Sequence, residues 1–143
     1  MILWAEPVFF LAFGLFHLHR LWGLADRAGY AAFWLGLLQN RGPAYFCLLA
    51  ALALLCGAGL AVFFRKGARG AWWRWAYLAG GGYVLFDLAA IASGWAPWRA
   101  LLAWMFQVDN PFWNWIWGGF SLLGLLSLLL GLYLICKKWK SWK

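Results

Sequence analysis

The sequence predicts an all-α polytopic membrane protein: four transmembrane helices, with two short interfacial helices on the outer side. Three observations carry this. Of 143 residues, 66% are hydrophobic and only 11% charged, where a soluble domain carries about 25% charged residues. Residues 44–64 and 110–136 form uncharged runs of 21 and 27 residues, each able to cross about 30 Å of hydrocarbon at about 1.5 Å per helical residue. The 14 tryptophans all fall near an end of a predicted span, as indoles do at a membrane interface.

The first span covers residues 2–22. It opens on MILWAEPVFF, with no basic start and no small-residue cleavage site after the apolar run, so it reads as a retained membrane helix rather than a signal. In the following DRAGYAAFWLGLLQNR, Tyr30, Phe33, Trp34, Leu37 and Leu38 recur at helical spacing behind a capping Asp26, the pattern of a short interfacial helix. The second span is 44–64 and the third 71–93. In APWRALLAWMF, Trp98, Leu101, Leu102 and Met105 repeat the interfacial pattern after Pro97. The fourth span, 112–136, follows DNPF, where Asn110 is placed to cap and Pro111 to occupy the first turn. The chain reads as a single membrane domain, residues 1–143.

Four crossings put both termini on one side. Arg65, Lys66, Arg69, Arg74, Lys137, Lys138, Lys140 and Lys143 lie there, against Arg20, Arg27, Arg41 and Arg99 on the other. The positive-inside rule makes the richer side cytoplasmic, in a cell membrane of the prokaryotic inner-membrane type. Trp4, Trp72, Trp73, Trp75, Trp139 and Trp142 belong to that inner interface, and Trp22, Trp34, Trp95, Trp98, Trp104, Trp113, Trp115 and Trp117 to the outer one. The net charge of +8 points to anionic lipid headgroups as a partner and not to nucleic acid, because the basic residues sit at helix ends and build no recognition module.

Two stripes of small residues mark packing faces, Ala50, Ala53, Gly57 and Ala61 on the second span and Ser121, Gly124, Ser127 and Gly131 on the fourth. They fit packing inside one bundle, a homo-oligomer or a membrane-complex partner. The AGGGY run at 79–83 has no lysine after it and lies mid-span, so it predicts a bend or close packing and no phosphate loop.

Asp87 is the most informative position. It lies about 7–8 Å from the centre of its span toward the outer face, and a carboxylate at such depth turns inward to a partner. His17 lies at nearly the same depth on the first span, with Arg20 about one turn further out. Glu6, Phe10, Phe13, His17 and Arg20 share one helix face, and His19 points away. The expected ligand- or ion-binding cluster is therefore Asp87, His17, Arg20, Tyr83 and Asn114. Glu6, at the other end, is expected to pair with Arg69, Arg74 or Lys137.

Other chemistry finds little support. Cys47 and Cys56 stand about 13 Å apart along one helix, too far for a disulfide, and Cys136 lies at the inner end. His17 and His19 diverge, so no metal site forms, and haem would need a histidine from another copy. No catalytic residue and no cofactor is assigned, and no family signature is recognised. The expected function is a transporter, a channel-like protein or the membrane subunit of a larger assembly, without enzymatic activity. The alternatives are an intramembrane enzyme or a binder of a lipid, quinone or other apolar ligand using Asp87 or His17, and a scaffold without a ligand.

Overall fold

A computed structural model describes residues 4–140. Ile2 and Leu3, at the start of the first predicted span, and Trp142 and Lys143 in the tail lie outside the described residues. Among the described residues every regular element is helical, and four segments are long and apolar enough to cross a membrane: Ala5–Ala25, Pro43–Lys66, Trp72–Ser93 and Trp113–Trp139. The chain is a multi-pass membrane protein, with short helices α3 (Arg27–Asn40) and α6 (Ala96–Met105) where the two interfacial ones are expected.

The chain divides into two compact units. One runs as far as Trp34 and resumes at Met105, and the other is Leu35–Trp104. In the first, α1 (Ala5–Leu18) packs along α7 (Trp113–Lys140). The buried line of α7 is Trp113, Trp117, Ser121, Gly124, Ser127, Gly131 and Leu134, while Leu122, Leu125, Leu126, Leu129 and Leu132 are exposed. Lipid is as apolar as leucine, so leucine gains nothing by turning inward, whereas small residues allow close approach. Here they do: a Cβ built on Gly14 would stand 2.8 Å from the Gly124 carbonyl oxygen, and one on Gly124 2.9 Å from the Gly14 oxygen. Ser127 Oγ donates across the same seam to the Phe10 carbonyl at 2.9 Å.

The first span is interrupted. α1 ends at Leu18 and the helix resumes as α2 (Leu21–Ala25), the Arg20 and Trp22 amides bonding three residues back to His17 and His19. Asp26 is extended, and its Oδ1 accepts the Gly29 amide at 2.9 Å, starting α3 as the sequence predicts. Asn110 likewise holds the start of α7, its Oδ1 accepting the Phe112 amide at 2.9 Å.

The second unit packs α4 (Pro43–Lys66) against the third span. That span is three pieces: a 3₁₀ turn (Trp72–Arg74), a π-helical stretch (Tyr77–Gly81) and α5 (Gly82–Ser93). The glycine run thus widens the helix, as a bend in AGGGY requires. Gly81 faces Cys56 of α4, its would-be Cβ 3.5 Å from the Cys56 carbonyl oxygen. The buried side of α4 is Tyr45, Leu52, Cys56 and Gly59. Its predicted small-residue stripe lies elsewhere: Ala50 and Ala61 are exposed and Gly57 has nothing within 4 Å. α5 stops at Gly94, left-handed at φ 69°, with the Trp95 amide bonded to Ala90 and the Gly94 amide to Ile91. This paired closure turns the chain directly into α6.

Candidate functional site

In the first unit, the break between α1 and α2 gathers the polar residues. The face predicted to be inward is the buried one, with Glu6, Phe10, Phe13 and His17 all enclosed. The His17 ring stacks on Phe13 at 4.2 Å, its Nδ1 3.0 Å from the Phe13 carbonyl, and Phe120 of α7 stands 6.0 Å away. Because the carbonyl only accepts, Nδ1 carries the proton. Arg20, half-buried, lays its guanidinium 5.1 Å from the Phe16 ring centre and 4.8 Å from that of Phe120. His17 and Arg20 therefore share Phe16 and Phe120 as walls.

His19 faces the other way, as expected, but into a second cluster. Its Nδ1 hydrogen-bonds the Phe16 carbonyl, which leaves Nε2 to accept the Tyr30 hydroxyl at 3.1 Å. Tyr30 is 1% exposed and is surrounded by Trp22, Trp34, Phe106, Trp113 and Trp117. Burial pushes its phenol up to about 12, against a smaller lowering by Arg20. Trp113 donates to the Gly23 carbonyl at 2.7 Å, whereas the buried Trp34 and Trp117 indole N–H groups have no hydrogen-bond partner among the described residues.

No family model, curated protein or solved structure matches the chain.

Asn114 belongs to the first unit, where its Oδ1 accepts from Arg27 at 2.9 Å, and Arg27 also reaches the Val108 carbonyl at 3.4 Å. Asp87 and Tyr83 belong to the second unit. Asp87 Oδ1 accepts the Trp98 indole N–H at 2.6 Å, which ties α6 to α5. Arg74, 6% exposed, donates to the Gly67 carbonyl at 3.1 Å. Glu6 is fully buried in the first unit, while Arg69 and Arg74 lie in the second. The structure thus brings His17 and Arg20 together and describes Asp87, Tyr83, Arg69 and Arg74 in the other unit. Among the described residues no three His, Cys, Asp or Glu side chains converge as metal ligands.

Sequence reasoning missed Tyr30, His19 and Trp98. A signal existed for Trp98, because an interfacial indole eleven residues after an intramembrane carboxylate can return to it across a turn. For His19 the helix wheel gave a direction but no partner, because the chain leaves the helix at Leu18.

Proposed function

We propose that the protein is a small transporter or channel-like membrane protein without enzymatic activity, working through His17 and Arg20 with Asp87 as the switchable carboxylate. One observation carries the reading: a buried imidazole and a guanidinium share two phenyl walls inside a membrane span. Ionisable groups at such depth mark ion or proton pathways by default. Asp87 enters on the sequence alone, as a carboxylate inside the third span, where an ionisable group is a functional candidate by default. In this reading Tyr83 and Asn114 flank the path, and the basic ends of the second and fourth spans meet anionic headgroups on the cytoplasmic side of an inner membrane.

Flux assays in proteoliposomes test it. The wild-type protein should dissipate a proton or chloride gradient faster than protein-free vesicles. Asp87→Asn, which removes the charge but keeps an oxygen for Trp98, should lower that flux at least about tenfold, as should Arg20→Gln. No flux above empty vesicles, or equal flux in Asp87→Asn, rejects the reading. A second reading, membrane subunit of a larger assembly, is favoured by the open Ala50–Gly57–Ala61 face of α4. Cross-linking from a cysteine at position 57 would capture that neighbour in native membranes.

A further inference from the structure

Trp95, Trp98 and Phe86 form an aromatic corner in the second unit. The two indoles lie nearly parallel, 6° apart with centroids 6.3 Å from each other, and Phe86 stands perpendicular to both at 6.2 and 5.1 Å. Phe86 and Trp95 are each about half exposed, at 50% and 49%. An ordinary interfacial tryptophan keeps its N–H for water or headgroups. Trp98 instead donates its N–H inward to Asp87 at 2.6 Å. Donation to a carboxylate makes the indole more electron-rich, and the surface left for a ligand is the π-face. That surface recognises cations, quaternary ammonium above all.

A positive group stands next to the corner. The Arg41 Nη2 lies 3.9 Å from the point where a side chain on Gly94 would begin, and Trp95 is the next residue. α5 ends at Ser93, so the corner and Arg41 sit where a span meets the headgroup layer. Aromatic faces backed by a carboxylate, with a guanidinium beside them, match an ammonium joined to a phosphate.

We propose that the Phe86–Trp95–Trp98 corner and Arg41 bind the headgroup of a zwitterionic phospholipid, the ammonium on the rings and the phosphate on Arg41. The site shares Asp87 with the transport reading through its bond to Trp98, but Trp95 and Arg41 take no part in that reading, so variants at these two positions test the lipid site apart from it.

Retention of lipids with identical acyl chains by the detergent-purified full chain, read by native mass spectrometry, is the test. Phosphatidylcholine should be retained about tenfold over phosphatidylglycerol, and phosphatidylethanolamine held as well as phosphatidylcholine supports the proposal equally. Trp95→Leu leaves the Asp87–Trp98 bond in place and should weaken phosphatidylcholine about threefold to tenfold, the worth of one ring face, without altering phosphatidylglycerol. Arg41→Gln keeps the rings and should weaken both lipids. Phosphatidylglycerol retained as well as phosphatidylcholine, or retention unchanged in both variants, overturns the proposal. Soluble phosphocholine binding as tightly as the lipid would overturn its assignment to a membrane lipid.

Discussion

Replacing Gly124 by alanine isolates what holds the first unit together. The added Cβ would lie 2.8 Å from the His17 Cβ, 2.9 Å from the Gly14 carbonyl oxygen and 3.1 Å from the His17 carbonyl carbon. Ordinary contact begins near 3.4 Å, so relief requires about 0.6 Å of movement (3.4 less 2.8). Two of the obstructing atoms are backbone and the third is a Cβ, so no rotamer change provides it. The helices must part. Overpacking costs about 1–3 kcal/mol, and with rigid neighbours we expect about 2 kcal/mol. Gly118 and Gly119 lie on the same helix with nothing within 4 Å. Alanine there should be neutral or stabilising by up to about 1 kcal/mol, the helix preference of alanine over glycine. Reversible unfolding in mixed dodecyl maltoside–dodecyl sulfate micelles, followed by circular dichroism, compares the variants directly. Because His17 is the residue pushed, Gly124→Ala should also reduce flux. Equal stability of Gly124→Ala and Gly119→Ala would refute the close crossing of α1 on α7.

Ser127→Ala loses its bond to Phe10 and should cost about 0.6 kcal/mol in the micelle assay, the average for such bonds between membrane helices. Trp113→Phe leaves the buried Gly23 carbonyl without its donor and should cost about 1–3 kcal/mol, read by the same unfolding curves. Tyr30 keeps its proton when folded up to about 12, against an ordinary value of 10.0. The unfolded chain therefore releases that proton first, so stability from this group is full below pH 10 and declines as pH rises toward 12. Melting temperature should fall across that window, and Tyr30→Phe should flatten the fall.

Some of this was legible in the residues and some was not, for physical reasons. Uncharged length fixed the four crossings, because hydrocarbon admits little else. The stripe on α7 was legible for the same reason, and Gly124 and Gly131 do meet α1. An equally good stripe on α4 is open, and the third span packs instead on Tyr45, Leu52, Cys56 and Gly59. Small side chains permit close approach without choosing a partner, and here the glycine that meets α4 is Gly81 of the facing span, against Cys56. The helix wheel of the first span put His17 on one face with Glu6, Phe10 and Phe13, and that face is the buried one, since the angular step per residue is nearly constant. The partners of His19 and Trp98 depended on where helices end and turn, which periodicity does not encode.

Those endings also explain why polar side chains collect where they do. At the break after Leu18 the Arg20 amide bonds to His17, which releases the Phe16 carbonyl from its helical partner. His19 and Arg20 both reach it. In the last turn of α2 the Gly23 carbonyl takes the Trp113 N–H, and past the end of α4 the Gly67 carbonyl takes Arg74. Within or beside a membrane each freed carbonyl requires a donor, so part of what reads as a working site is backbone repair. His17 is different. Its Nδ1 bonds a carbonyl inside the intact α1, where the ladder needs no extra donor. Repair accounts for His19 and Arg74, and for one bond of Arg20, but gives no reason for an imidazole at position 17. His17 therefore carries weight in the proposed function, as a buried polar residue whose place the helix endings do not require.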